Sequence, residues 1–130
     1  IPRSAAALDT LPDGLRALGW RVEAIDAYTT IPGDAADIDA DIAGNFRAGC
    51  YDAVVLTASS QARALPPLLG PPPPSTRVVT IGAPTAATAR GQGIAVAAQA
   101  SSPTPDAIVR ALIDALDRPA QADAPEERDS

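Results

Sequence analysis

Residues 51–60 are Tyr51-Asp52-Ala53-Val54-Val55-Leu56-Thr57-Ala58-Ser59-Ser60, a short apolar run followed by small polar residues. A second stretch repeats this arrangement, Arg77-Val78-Val79-Thr80-Ile81-Gly82-Ala83-Pro84-Thr85-Ala86. Each stretch predicts a parallel strand, a tight turn and the beginning of a helix. Because ligands bind outside the carboxyl ends of the strands in open α/β sheets, we expect a site at these turns. The free N–H groups in the first turn of each helix favour an anionic ligand.

The rest of the chain continues the alternation of helix and strand. We predict helices over residues 8–18, 34–48, 60–65, 84–92 and from Thr104 onward, and strands over residues 21–28, 53–57, 77–81 and 94–98. Pro66 and Pro67 are expected to stop the third helix, and Thr104 is expected to cap the last one. On that last helix the predicted apolar face consists of Ile108, Leu112, Ile113 and Leu116. The alternation predicts an α/β fold with a parallel sheet flanked by helices.

The composition excludes several kinds of chemistry. The net charge is −6, and this acidic balance argues against nucleic acid as a partner. The chain contains neither histidine nor lysine. It therefore cannot form a Ser-His-Asp triad, a histidine metal site, a lysine Schiff base or a P-loop. We predict no metal site and no organic cofactor.

The expected compartment follows from the cysteine count and the hydropathy pattern. Cys50 is the single cysteine and has no partner for an internal disulfide, which predicts a reducing, cytoplasmic location. We expect Cys50 to be a small buried side chain rather than a reactive thiol. No apolar run has membrane-spanning length, so no membrane contact is predicted. The sequence has no methionine, which predicts that it is processed or belongs to a longer protein.

Six short motifs, taken in order, resemble the C-terminal half of uroporphyrinogen-III synthases. Two of them are the stretches 51–60 and 81–86 quoted above. The others are Gly19-Trp20-Arg21-Val22, Ala27-Tyr28-Thr29-Thr30, Gly93-Ile94-Ala95-Val96 and Ser102-Pro103-Thr104-Pro105. No single motif is specific, and the resemblance depends on their order and spacing over most of residues 1–116.

The resemblance implies one flavodoxin-like half of a two-domain enzyme, whose two α/β domains are joined by a two-stranded linker and hold the substrate in the cleft between them. Residues 1–29 would form the last strand-helix-strand of one domain and the linker, residues 30–117 most of the second domain, and residues 118–130 a disordered tail. In the family, the first strand and helix of the second domain come from the N-terminus. We therefore expect an incomplete fold here, with the missing N-terminal half of the same protein as its partner.

The resemblance also implies an activity. Enzymes of this family cyclise hydroxymethylbilane, an anionic linear tetrapyrrole, to uroporphyrinogen III, with inversion of ring D through a spiro intermediate. They use no metal or organic cofactor. Catalysis then depends on holding a flexible substrate with eight carboxylates in a folded shape, by orientation and electrostatics. A chain without histidine and lysine is compatible with such a reaction.

Individual residues acquire roles through the same resemblance. Tyr28 matches the family's linker tyrosine, and the resemblance implies that it assists departure of the hydroxyl group, since a phenol can donate to a leaving oxygen. The alternative is a packed tyrosine at a strand end. The implied substrate-binding residues are Arg3, Thr57, Ala58, Ser59, Ser60, Gly82 and Thr85. Structural alternatives are a solvated Arg3, an N-cap at Ser59 and a turn with positive φ at Gly82.

The chain departs from the family pattern at several site positions. Alanine at Ala58 replaces a common serine, Ala83-Pro84 replaces Pro-Thr, Leu56 replaces phenylalanine and Gln61 replaces a small residue. These departures leave two further hypotheses open. One is a synthase-like sensor domain of a regulator, which binds a tetrapyrrole without turnover. The other is a generic flavodoxin-like module for another small anion, although the chain lacks a Gly-x-Gly-x-x-Gly turn.

Overall fold

The computed structural model describes residues 1–31 and 33–118. Contacts divide the chain into two compact units, Ile1–Gly33 and Asp34–Ser130. Their elements are β1 (Pro2–Ser4), α1 (Thr10–Ala17), β2 (Ile25–Tyr28), a 3-10 turn (Ala35–Asp37), α2 (Ala40–Arg47), β3 (Ala53–Leu56), α3 (Ser59–Leu69), β4 (Arg77–Thr80), α4 (Ala83–Gly91), β5 (Ala98–Gln99) and α5 (Pro105–Asp117). All described strand pairs are parallel, which confirms the predicted α/β fold with a parallel sheet flanked by helices.

The assignment of residues 1–29 and 30–117 to different domains remains a prediction. The predicted tail over residues 118–130 lies, beyond Arg118, outside the described residues. Within residues 1–31 and 33–118, no helix is both long enough and apolar enough to cross a bilayer.

The first unit is a strand-helix-strand motif. β1 pairs with β2, with Pro2 opposite Ile25. β2 covers only Ile25–Tyr28 of the strand predicted over residues 21–28. α1 occupies most of the predicted helix, but the leucine spacing that indicated it does not mark a buried face. Pro12 is the single buried residue among those described in this unit.

The second unit contains a three-stranded sheet in the order β3-β4-β5. Adjacent residues of the central strand face opposite layers: Val78 packs towards α2, α3 and α4, and Val79 packs towards α5. The first core cluster consists of Phe46, Leu56, Ala62, Leu65, Val78, Ala89 and Ile94. The second consists of Val79, Ala100, Ala107, Ala111 and Ala115. The sheet is therefore covered by helices on both faces, as expected for parallel strands.

The prediction that Pro66 and Pro67 stop the third helix is wrong. α3 continues through both prolines and ends at Gly70, which has φ 90° and donates its N–H to the Pro66 carbonyl. Leu65 is buried and Leu69 packs against the same core. Packing of these leucines holds the backbone helical despite the N–H groups that the prolines lack.

Three further sequence predictions need correction. The helix over residues 34–48 is interrupted, because Asp34 and Asp39 each accept backbone N–H groups and begin separate helical segments. Ile94 is not part of a strand, since it is buried and closes the end of α4 by donating its N–H to the Ala89 carbonyl at 3.0 Å. On α5 the buried face consists of the alanines, whereas Ile113 is 53% exposed. Small alanine side chains let this helix lie close to the sheet.

Gly49 ends α2 in a left-handed conformation that a side chain would strain. Its φ is 73°, and an added Cβ would lie 2.5 Å from the Ser75 Oγ. We expect Gly49→Ala to lower the free energy of unfolding by about 1–2 kcal/mol, as is usual for a left-handed non-glycine residue. Gly44 is the matched control, because it lies inside α2 with open space around it. Gly44→Ala should raise the free energy of unfolding by about 0.5–1 kcal/mol in the same urea titrations. Equal signs for the two variants would contradict this explanation.

Candidate functional site

The carboxyl ends of β3 and β4 bring the two predicted strand-to-helix turns to one edge of the sheet. Leu56, the last residue of β3, pairs with Thr80, the last residue of β4. Beyond this pair, the Ile81 N–H donates to the Leu56 carbonyl at 3.0 Å. Residues 57–60 and 81–85 therefore leave neighbouring strands side by side. This is the arrangement in which open α/β sheets bind ligands.

The first turn of α3 offers free backbone donors at this edge. Ala58 is the N-cap and forms no side-chain cap, so the proposed N-cap at Ser59 is wrong. Ser59 is the first helical residue, and the N–H groups of Ser59 and Ser60 have no hydrogen-bond partner within the described part of the chain. Two amides and two serine hydroxyls can thus meet an acceptor near the positive end of the helix dipole.

The side chain of Gln61 occupies donors of the residue that precedes this turn. Its Oε1 accepts the Thr57 N–H at 2.7 Å and the Thr57 hydroxyl at 3.2 Å. Both residues are exposed. Thr57 was predicted to bind substrate, but in this conformation its two donors are directed at an internal carbonyl oxygen.

The first turn of α4 differs from the first turn of α3. Gly82 is the N-cap with φ −176°, an extended conformation open to any residue, so its proposed positive φ is wrong. An added Cβ at Gly82 would meet only Pro84 Cδ, at an ordinary 3.9 Å. Pro84 has no N–H, which leaves the Ala83 and Thr85 amides as donors without a partner in the described residues. Thr85 as a whole residue is 4% exposed, so neither its amide nor its hydroxyl is readily accessible to a ligand in this conformation.

Thr80 adds a buried hydroxyl to the same edge. Its side chain is 0% exposed, and its Oγ1 has no hydrogen-bond partner among the described residues. Because side chains alternate along a strand, Thr80 lies on the same face of the sheet as Val78, below α3 and α4. An unpaired buried hydroxyl costs about 1–3 kcal/mol, and an apolar residue of equal size would avoid this cost.

The start of α5 follows the third strand at this edge. The predicted cap is confirmed, because the Thr104 Oγ1 accepts the Ala107 N–H at 3.4 Å. Pro105 occupies the first helical position and lacks an N–H, and Asp106 places a negative charge in the first turn. This terminus is therefore less suited to an anion than those of α3 and α4.

Arg3, in the first unit, is engaged by two carboxylates. Its Nη1 donates to Asp9 at 2.5 Å and its Nε donates to Asp26 at 3.0 Å. Hydrogen bonds to Asp9 and then to Asp26 hold the pKa of the Arg3 guanidinium above its ordinary value. The alternative of a solvated Arg3 is thus not what the structure shows. A role for Arg3 in binding substrate remains a prediction, in which the ligand would share the guanidinium with Asp9 and Asp26 through its remaining N–H groups.

Tyr28 is the last residue of β2, and its side chain is 63% exposed. The alternative of a packed tyrosine at a strand end therefore does not hold. Its phenol is accessible to a ligand. Its catalytic role remains a prediction.

Other features of the structure fall outside the predicted site. An open depression of about 320 Å³ in the first unit contains neither Arg3 nor Tyr28 in its lining, which consists of Ile1, Leu15, Trp20, Arg21, Val22 and Glu23. Cys50 is exposed, so its predicted burial is wrong. No group of three or more potential metal-binding side chains occurs within residues 1–31 and 33–118.

Comparison with known families agrees with this geometry. A family model described as uroporphyrinogen-III synthase HemD matches residues 1–110 of the 130-residue chain. The chain belongs to this family. No curated protein matched the chain. The predicted family is confirmed, and the family is one of enzymes that make a tetrapyrrole.

The hydrogen-bonding environments of two residues at this edge, Gln61 and Thr80, were not anticipated from the sequence. Gln61 was noted only as a departure from the pattern. Its position as the third residue of α3 was a usable signal, because glutamine there commonly accepts backbone N–H groups just before the helix. The burial of Thr80 could not be predicted, since a threonine within a Val-Val-Thr-Ile strand can face either helix layer or solvent.

Proposed function

We propose that the protein containing this chain converts hydroxymethylbilane to uroporphyrinogen III, closing the macrocycle with inversion of ring D and release of water. Family membership supports this proposal. The observation that carries it in the structure is the pair of helix N-termini on neighbouring parallel strands, with free amides at Ser59, Ser60 and Ala83. A substrate with many carboxylates needs several such donors at fixed spacing.

The electrostatics of this arrangement suit an acidic protein. The net charge of −6 repels a polyanion at long range, so binding must come from short-range donors. Backbone N–H groups at a helix N-terminus supply them without a counterion. Hydroxyls of Ser59 and Ser60 can add further bonds to the same carboxylate. We propose Thr57, Ala58, Ser59, Ser60, Gly82 and Thr85 as the part of the site in the second unit.

The chemical step needs little from the protein beyond orientation and help for the leaving group. The substrate loses its terminal hydroxyl with a proton, as water. The pyrrole nitrogen lone pair drives that loss. The resulting electrophilic carbon is attacked by the α-carbon of ring D that already carries the chain, which gives the spiro intermediate. The bond from that α-carbon to the methylene of ring C then breaks, the methylene bonds to the free α-carbon of ring D, and this carbon loses a proton. Fixing the reactive ends near each other is the main contribution expected of the protein. Tyr28 is the proposed donor to the departing oxygen.

Product isomers provide the test. Freshly made hydroxymethylbilane is incubated with the full-length protein that contains this chain, and the uroporphyrin isomers are resolved after oxidation. We expect isomer III well above the background of isomer I that forms by spontaneous closure. Isomer I alone from a folded protein would overturn the synthase activity. If that protein still bound uroporphyrin III, a non-catalytic tetrapyrrole-binding module would replace it.

A further inference from the structure

The Thr57 donors at the candidate site are occupied by an acceptor from within the chain. Gln61 Oε1 receives the backbone N–H and the hydroxyl of Thr57 at 2.7 and 3.2 Å. Two donors converging on one carbonyl oxygen form the geometry in which a carboxylate oxygen would be bound. The contact lies directly before the first turn of α3, next to the free amides of Ser59 and Ser60.

We infer that Gln61 is a specificity-determining residue, whose side-chain carbonyl competes with a ligand carboxylate for the two Thr57 donors. The inference takes the ligand class, a polycarboxylate tetrapyrrole, from the proposed function. What it adds is that Gln61 and a ligand carboxylate compete for the Thr57 donors. A ligand carboxylate reaches Thr57 only after the Gln61 side chain has moved away.

The charge of the acceptor decides whether the Gln61 amide oxygen or a ligand carboxylate binds the Thr57 donors more strongly. A neutral amide oxygen forms ordinary hydrogen bonds, whereas a carboxylate forms charge-assisted bonds that are roughly twice as strong. Gln61 and Thr57 are both exposed, so the side chain can rotate into solvent without disturbing the core. Gln61 therefore lowers the affinity for carboxylates without blocking them, and excludes weaker neutral acceptors from this position.

A second observation at the same edge indicates a ligand. Thr80 ends the neighbouring strand, and its wholly buried Oγ1 has no partner among the described residues. A hydroxyl retained at this cost below α3 and α4 is what a site for a polar ligand would contain. Thr80 therefore adds an unsatisfied, buried hydroxyl on the strand next to the one that leads into Thr57 and Gln61.

Two substitutions separate competition from a purely structural contact. Gln61→Ala removes the competing oxygen, and we expect the dissociation constant for uroporphyrin III to fall by about threefold to tenfold. Gln61→Glu places a carboxylate on the Thr57 donors, and we expect that constant to rise by about tenfold or more at neutral pH. Gln92→Ala is the control, because Gln92 is an exposed residue at the opposite end of α4, and binding should not change.

Fluorescence titration of the full-length protein with uroporphyrin III measures these constants without requiring turnover. Thermal midpoints are recorded in parallel, because a merely structural contact would lower the midpoint of Gln61→Ala without tightening binding. Unchanged or weaker binding by Gln61→Ala, in a parent protein that binds, would overturn the competition and leave the proposed function standing. Failure of the folded parent protein to bind uroporphyrin III would overturn this inference alone if isomer III is still formed, and would overturn the proposed function as well if isomer I is the single product.

Discussion

Replacement of Phe46 by alanine is expected to lower the free energy of unfolding of the second unit by about 3–5 kcal/mol, the usual range for a buried phenylalanine. Phe46 lies on α2, is 2% exposed and packs in the cluster that contains Leu56 and Val78. It is the single phenylalanine in a chain whose other core residues are small or aliphatic. No neighbouring side chain is large enough to fill the cavity, so the structure can relax only in part.

Urea unfolding followed by circular dichroism measures this effect. Ile42→Ala is the matched control on the same helix, because Ile42 is 50% exposed and its truncation should cost less than about 1 kcal/mol. Phe46→Leu is a milder variant for the case in which the alanine variant fails to fold, and it should fall between the other two. Similar losses for Ile42→Ala and Phe46→Ala would show that α2 is not held by Phe46.

The sequence predicted the elements whose patterns are set by local chemistry. Glycine ended helices at Gly19, Gly49 and Gly93, where each has positive φ. Thr104 capped α5 as expected. The valine-rich runs at residues 53–57 and 77–81 became adjacent parallel strands. These features depend on backbone conformation and on short apolar runs, which a single sequence displays directly.

Predictions failed where packing overrode local preference. α3 passes through Pro66 because its leucines are needed in the core. Ile94 looked like a strand residue, yet burying it against the end of α4 gains more than extending β5. On α5 the core positions are occupied by alanines and the larger Ile113 is exposed, because close packing of the helix against the sheet requires small side chains. The course of α3, the position of Ile94 and the buried face of α5 cannot be predicted without knowing how closely the helices pack against the sheet.

The candidate site was predictable in its location and less so in its details. The rule that parallel strands end at one edge placed residues 57–60 and 81–85 together. It could not show that Gln61 covers Thr57, that Thr85 is buried or that Arg3 is paired with Asp9 and Asp26. Those contacts depend on side-chain rotamers, and each of them limits which donors are free for a ligand.

The largest effect on activity is expected from Tyr28→Phe in the full-length protein. Removing the phenolic hydroxyl should lower kcat for isomer III by about 100-fold or more, the range for loss of a general acid. KM should change little, because the hydroxyl acts on the departing oxygen and the carboxylates are held elsewhere. Tyr28 is 63% exposed at the end of β2, so its hydroxyl is not needed for folding. Equal thermal midpoints for the two proteins would verify this.

Tyr51→Phe is a closely matched control for that experiment, since the chain contains two tyrosines. Tyr51 precedes β3, at the amino end of the strand, and its backbone carbonyl, not its phenol, accepts the Thr76 hydroxyl at 2.8 Å. Its variant should retain kcat within about twofold, as expected for a substitution that does not touch substrate. A Tyr28→Phe protein with normal kcat would remove the phenol from the mechanism. Leaving-group departure would then depend on the substrate's own pyrrole and on the oriented amides of α3 and α4.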